Sequence, residues 1–573
     1  MPTHPPASDN RGLRPLYDPR RVRDMTDDQS PIGFVVGETH PNEFTFVTDR
    51  SLTPPRLEYV TVPEVEERIN GELVPVEVLA QVHEIGVSSP VISDELTFGE
   101  TETLLRNRYG ALPKVLCRAK VVGYMLDGKV HTSRSAALPG QAVYVASDEL
   151  LEAFFSNNVR AGMEVGTLIT RDSVPVLLDP NGLRRHLAVI AQTGAGKSYL
   201  VGKVLESLLD LGGTILVFDP NSDYVQMRKA WDDKDKPYAI ARPTELSDRI
   251  DVYRIPGLQG RRYPDEMVGL SEEFTVKFSS LEPDEVAELA GVPSSAANIR
   301  SAIQAGCKSL KKEGVDYRPT ELREWLTVTS ATDRNDDMKT GASRAVKYVE
   351  ILENYPIWGF KDVDVEHLIR PRHMAVIDLA GADKNVSAYV VDRALRSIWA
   401  RATTGQLVHP VFVVLEEAHN LVPADRERRE SLSSRIINTV ASEGRKFKVF
   451  LVVITQRPSK IHQDTLSQCG SQLIMRLTNP DDQIAVQKAS EAVSSDLLRD
   501  LPALDQGEAI VLGTLTRVPA MIKVGRRRSA EGGSDVDLVE ALQQASQDSK
   551  LDKVLEESIA VVRKVSVREE EEW

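Results

Sequence analysis

The chain has 573 residues, 41% hydrophobic and 27% charged, with a formal net charge of −15. That length exceeds one ordinary core and predicts three or four domains of roughly 150 residues each. The acidic balance excludes a simple basic coat for nucleic acid but not a local basic channel, and the absence of any run of about 18 apolar residues excludes a transmembrane helix.

Residues 1–30 read as a disordered, proline-rich lead without the apolar stretch of a secretory signal. Cys117, Cys307 and Cys469 are far apart and form no metal-spaced cluster. A soluble chain in a reducing, cytoplasmic setting is the expectation. Residues 31–150 change character: IGFVVGE, EFTFVTD, LEYVTV, PVEVLAQVHEIGV, KVLCRAKVVGYM and QAVYVAS are short β-rich runs separated by turn residues. Such spacing predicts a small barrel or sandwich.

From residue 172 the pattern becomes α/β. HLAVIA, TILVFD, HMAVIDLA, VFVVLEE, VFLVVITQ and QLIMRL are continuous apolar runs that suit strands buried on both faces. Helical stretches separate several of them, which predicts a parallel sheet over 172–270 and 371–525. GEAIVLG and RVPAMIKV read as a closing hairpin. The strand rhythm breaks between 219 and 373, where EPDEVAELAG, PTELREWLTV and ASRAVKYVEILENY have the spacing of amphipathic helices. They predict a helical insertion at 270–370. A polar extension occupies 526–573.

The chemistry concentrates at strand ends. IAQTGAGKS follows an apolar run and precedes a helical one, the context of a phosphate-binding loop. Gly194, Ala195, Gly196, Lys197, Ser198 and Tyr199 are its expected nucleotide contacts. Lys197 would neutralise phosphate charge, and Ser198 would ligate Mg²⁺. The opening glycine of the pattern is replaced by Ala191, which fails only where that position requires a positive φ. VFVVLEEAHN ends a strand in two acids. Glu416 is the candidate for the Mg²⁺ shell and Glu417 for activating the attacking water. Gln456, ending the next strand, is placed to touch a terminal phosphate. Asp219 ends TILVFD and is a candidate for the metal shell or for Lys197. Arg185 and Arg445 are candidates for stabilising transition-state charge.

Together these segments resemble the HerA family of DNA translocases, relatives of FtsK within the RecA-like ATPases. The matching text is RHLAVIAQTGAGKS, VFDPNSDY, VFVVLEEAHN, ASEGRKFKVFLVVITQRPSKI, LSQCGSQLIMRLTNPDDQ and LPALDQGEAIVLG. The resemblance covers roughly 31–530. It implies a RecA-like P-loop ATPase core, an N-terminal β-barrel, a helical insertion and a C-terminal brace. It also implies a hexameric ring, ATP and Mg²⁺ as cofactors, double-stranded DNA in the channel and nucleoid association. The barrel is expected to dock a NurA-type nuclease that acts in DNA end resection. Arg185 suits an arginine acting across a subunit boundary, with Arg445 a second. Arg261, Arg262, Lys384, Arg426, Arg428 and Arg429 are the basic residues expected to line the channel. Two departures stand out: Ala191, and DPNSDY where the family more usually has D-P-H-G-E-Y. A conjugation or secretion motor would usually carry membrane helices, and a GTPase would show N-K-x-D; neither is present. A nucleotide-gated scaffold that recruits a nuclease without pumping shares every motif.

Overall fold

The protein is described from a computed structural model. It describes residues 30–89, 91–106, 113–156, 161–230, 245–314, 316–424, 432–490, 495–532, 538–539 and 542–543. The expected lead (1–30) save its last residue, most of the C-terminal extension, and Arg426, Arg428 and Arg429 lie outside them.

The six β-rich runs become β1 (Gly33–His40), β2 (Glu43–Thr48), β3 (Tyr59–Ile69), β4 (Glu72–Ser88), β5 (Lys114–Leu126) and β7 (Ala142–Val145), with a short β6 (Lys129–His131) beside β5. They pair in the order β2-β1-β7-β3-β4-β5, and β2 also pairs β5. That second pairing closes a six-stranded barrel, which removes the exposed edges an open sheet would carry. Alternation fills the interior: Phe44, Phe46, Val60, Val62, Val78, Ala80 and Cys117 are buried.

The second sheet has twelve strands. Its parallel part is β13 (Glu272–Glu273), β12 (Ile250–Arg254), β14 (Met374–Asp378), β11 (Thr214–Asp219), β15 (Val411–Leu415), β16 (Val449–Thr455), β10 (Leu187–Ile190) and β17 (Ser471–Met475), in that spatial order. Every residue of β10, β11 and β14–β17 is buried, as continuous apolar runs require when helices cover both faces. β18 (Glu508–Gly513) and β19 (Ala520–Val524) follow as an antiparallel hairpin. The phosphate-loop motif stands at the C-terminal end of β10, inside this parallel sheet.

Two features depart from the sequence expectation. β8 (Met163–Leu168) and β9 (Arg171–Leu178) extend this sheet beyond β19 rather than standing outside it. Their polar alternation gives no parallel-strand signal, because they are an antiparallel edge. In the stretch expected to lack strands, β12 pairs in parallel with β14. Five residues with two charges, near the sheet's other edge, are too short for periodicity to register.

The helix α1 (Lys197–Asp210) packs on one face of the sheet. The insertion is helical at α2 (Pro283–Leu289), α3 (Ala297–Lys312), α4 (Pro319–Thr332) and α5 (Asp336–Glu353), and its apolar sides join the opposite face. Their ends are set locally. Pro319 starts α4, and the Asn335 side chain accepts from the Asp337 and Met338 amides to cap α5. α6 (Lys384–Thr403) and α7 (Ser434–Glu443) cover the same face. The barrel meets the core through a buried Arg171–Glu58 ion pair, 3.0 Å long.

Candidate nucleotide-binding site

Parallel strands expose their C-terminal ends along one rim, and ligands of open α/β sheets bind there. Here neighbouring strands β14, β11, β15, β16 and β10 deliver Asp378, Asp219, Glu416–Glu417, Gln456 and the loop 191–196 to that rim.

The loop bends at Gly194 (φ 77°) and Gly196 (φ 98°), conformations that only glycine adopts without strain. Gly196 is the last residue before α1, so the first-turn amides of the helix face the loop. Ala191 has no positive φ and is wholly buried. Its amide donates to the Thr455 carbonyl at 3.3 Å. The position therefore accepts alanine without strain.

Lys197 is buried between the two acids. Its Nζ pairs with Glu416 Oε1 and lies 2.9 Å from Glu417 Oε1. Burial works against the ammonium, but both carboxylates outweigh it and hold the pKa above its ordinary value. Burial pushes Glu416 up to about 7, with Lys197 opposing and Asp223 adding to the rise. The second oxygen of Glu416 accepts from Tyr224 Oη at 2.9 Å.

Glu417 is held in the left-handed region (φ 48°, ψ 46°). Such a conformation costs a non-glycine residue about 1 kcal/mol and recurs where function fixes a side chain. Gln456 Nε2 donates to Glu417 Oε1 at 2.7 Å, and Gln456 Oε1 accepts from Thr193 Oγ1 at 2.6 Å. The amide thus links the phosphate loop to the acid. Glu417 Oε2 is buried without a hydrogen-bond donor and lies 3.2 Å from His419 Nδ1. Burial lowers the His419 pKa, Glu417 opposing, so this imidazole favours its neutral form.

Asp219 has a different neighbourhood from the one expected. Its two oxygens accept from the backbone amides of Asn221, Asp223 and Tyr224 at 3.2, 3.0 and 2.8 Å. Burial, with Asp223 and Asp378 nearby, raises its pKa well above the usual carboxylate range. Asp219 shapes the 220–224 loop, and the acid that reaches Ser198 is Asp223, 2.7 Å from its hydroxyl. Sequence reasoning missed Asp223 and Tyr224. Both stand in the quoted DPNSDY, and the signal was a second acid one turn beyond the strand end.

Arg185 and Arg445 stand elsewhere. Each precedes its strand, β10 or β16, while the loop and Gln456 follow those strands. At a rise of about 3.3 Å per residue, roughly 20 Å separates Arg185 from its own loop. Both arginines are exposed. His186 lies between these strands: its Nδ1 accepts from the Leu451 amide at 2.9 Å and its Nε2 is 3.0 Å from the Ala441 carbonyl. The first bond fixes the proton on Nε2. The Tyr199 hydroxyl accepts from the Arg527 amide at 2.9 Å.

Of the basic residues expected in a channel, Arg261 is tied to Asp265 and the Ile255 carbonyl. Arg262 lies over the Tyr263 ring. Lys384 begins α6 and lines a cavity with Phe218, Glu416 and Glu417.

Hard oxygen donors dominate the rim: the Ser198 hydroxyl and the Asp223 and Glu416 carboxylates. They fit Mg²⁺, which binds through one or two protein oxygens and leaves its other positions to water and phosphate. The orphaned Glu417 oxygen needs a donor such as water.

Residues 163–398 match the family model described as the central domain of helicase HerA. A probable helicase of Methanocaldococcus jannaschii is 29% identical over 536 residues, covering 90% of this chain and 94% of that protein. The DNA double-strand break repair helicase HerA of Pyrococcus furiosus is 28% identical, covering 75% of this chain and 82% of its own. The namesake from Sulfurisphaera tokodaii is 27% identical, covering 90% and 97%. Among solved structures, VirB4 of Thermoanaerobacter pseudethanolicus is 16% identical with a TM-score of 0.46, covering 65% of this chain and 98% of that one. The central segment is thus similar to the HerA central domain, and the chain as a whole is similar to HerA-named helicases along most of their length.

Proposed function

We propose that the chain is an ATP-hydrolysing motor that moves along double-stranded DNA in double-strand-break repair, as a hexameric ring working with a NurA-type nuclease docked on the barrel. The observation that carries the ATPase reading is the chain of four linked residues at the rim: Thr193 to Gln456 at 2.6 Å, Gln456 to Glu417 at 2.7 Å, and Glu417 to Lys197 at 2.9 Å. Phosphate loop, acid and amide form one connected unit.

In this reading the amides of 192–198 and Lys197 bind the phosphates, and Ser198, Asp223 and Glu416 hold the metal's oxygen shell. Mg²⁺, when bound, neutralises phosphate charge and orients the phosphate oxygens. Glu417 accepts the proton of the attacking water at Oε2, the oxygen left without a donor. Gln456 holds the other oxygen and so fixes which face of the carboxylate is presented.

The ring is supported by the placement of Arg185 and Arg445. Both lie at the rim opposite their own loop, a placement that suits a role toward a neighbouring copy. Lys384 touches the cavity beside Glu417, which suits a residue that reports DNA to the catalytic acid. Among the described residues no helix is long and apolar enough to cross a membrane.

The test is steady-state ATP hydrolysis with and without linear double-stranded DNA, beside Lys197→Ala and Glu417→Gln. DNA should raise the rate, and each substitution should lower it by about 10²–10⁴-fold. A wild type that binds ATP but never hydrolyses it, with DNA and nuclease present, refutes the motor and supports a nucleotide-gated scaffold.

A further inference from the structure

Ser198 and Asp223 meet at 2.7 Å but come from separate segments, the first turn of α1 and the loop after β11. Their separation depends on how those segments are held together. The chain after β19 lies across both. Arg527 is wholly buried. Its Nη1 donates to the Ser198 carbonyl at 3.2 Å, and its amide donates to Tyr199 Oη at 2.9 Å. Five residues later the Gly532 amide donates to the Asp223 carbonyl at 3.1 Å. The Gly532 carbonyl accepts from Tyr263 Oη.

Between these ends the segment is anchored along α1 and on the stretch that follows β11. The Arg528 amide, the Ser529 amide and the Ser529 hydroxyl all donate to the buried Glu206, at 3.1, 2.8 and 2.5 Å. The Ala530 amide donates to the Lys229 carbonyl at 2.8 Å. Gly202 makes room for this. A Cβ there would fall inside the Arg527 guanidinium. A Cβ at Gly532 would overlap the Ser222 carbonyl.

A buried arginine paired with glutamate is a poor choice for stability alone, since an apolar side chain would fill the same space without desolvation. What arginine adds is directed donors, and here one of them is aimed at the carbonyl of Ser198. We propose that Arg527–Gly532 is a strap that sets the distance between the two halves of the Mg²⁺ site, with Arg527 the positioning residue for Ser198 and Gly532 for Asp223. This rests on Ser198 being a Mg²⁺ ligand. It makes the affinity for Mg²⁺–nucleotide depend on the segment that leads into the C-terminal extension.

The test is binding of a fluorescent ADP analogue to the full chain over a Mg²⁺ titration, with the melting temperature of each variant. Groups that orient metal ligands are worth 10–100-fold in metal affinity, so Arg527→Met should raise half-saturating Mg²⁺ by about tenfold. Binding without Mg²⁺ should stay within about twofold. Arg527→Lys should recover part of the loss. If Arg527→Met does not fold, Ser529→Ala, which removes the hydroxyl between Arg527 and Glu206, should shift the Mg²⁺ midpoint in the same direction. A folded variant whose titration coincides with wild type overturns the strap, and so does an equal loss with and without Mg²⁺, which marks plain loosening. Wild type that binds no nucleotide at any Mg²⁺ concentration would instead overturn the ATP reading itself.

Discussion

Restoring the glycine that the phosphate-loop pattern carries at position 191 should make this protein worse. Ala191 has no positive φ, and its methyl is fully buried among the residues under α1. Ala191→Gly removes that methyl, a loss of about 0.8 kcal/mol by the buried-CH₂ scale. It also frees the unfolded chain at a site where glycine's freedom is not used, a further 0.5–1 kcal/mol or so. The sum is roughly 1.5 kcal/mol of destabilisation. Urea unfolding monitored by circular dichroism should show a lower midpoint with an unchanged slope. Hydrolysis should be close to wild type, since Lys197, Gln456 and Glu417 keep their partners. Gly196→Ala is the contrasting variant. A Cβ there has space, 3.5 Å from its nearest neighbours, so its cost is the φ of 98°. That strain falls on the residue leading into Lys197, and activity should collapse. If Ala191→Gly raised stability, or raised kcat/KM for ATP tenfold, the reading of this loop would be wrong.

Three other outcomes are expected. Gln456→Ala breaks the link between Thr193 and Glu417 and should lower kcat by about 10–100-fold with KM nearly unchanged, since it acts on the acid rather than on nucleotide binding; an equal rise in KM would count against it. His186 is held neutral: burial, aided by Arg445 and opposed by its bond to Ala441, drops its pKa from 6.5 to about 4. Its stabilisation is therefore full above pH 6.5 and is lost as pH falls through 4, up to about 3 kcal/mol; His186→Gln should flatten urea-unfolding midpoints between pH 6.5 and 4, and an unchanged slope would contradict the assignment. Asp219→Asn should lower stability, because it weakens three amide contacts, whereas Asp223→Asn should raise the Mg²⁺ requirement for nucleotide binding with little change in melting temperature; the reverse pattern would return Asp219 to the metal.

Legibility in the sequence followed the physics of each signal. β10, β11 and β14–β17 are buried on both faces, so their apolar runs could be seen one strand at a time. The barrel strands showed themselves by alternation. β8, β9 and β12 did not, because they lie at or next to the ends of the sheet with mixed faces, and the partners that place β8 and β12, β19 and β14, are far away in the chain. In the site, Lys197, Glu416, Glu417 and Gln456 were legible because their chemistry is tied to strand ends. Asp219 was legible as an acid but not in what it touches. A carboxylate at a strand end followed by a turn has two uses, metal or backbone amides, and the choice depends on which way the following loop folds. The loop folds back over Asp219 and puts the next acid, Asp223, against Ser198.

The same limit explains why Arg527 left no trace in the sequence reading. GRRR after a terminal strand has the composition of a solvated basic tail, and three consecutive arginines are usually exposed. Which one turns inward is decided by a glycine on another element, 325 positions earlier, that removes the obstacle to a guanidinium. Gly202 in turn looks like a helix defect when α1 is read alone, since glycine costs a helix interior about 1 kcal/mol. Each residue looks unfavourable by itself, and the pair is explained only by contact. A local penalty of this kind, repeated on two elements that meet beside the loop binding the phosphates, is the mark expected where positioning outranks stability.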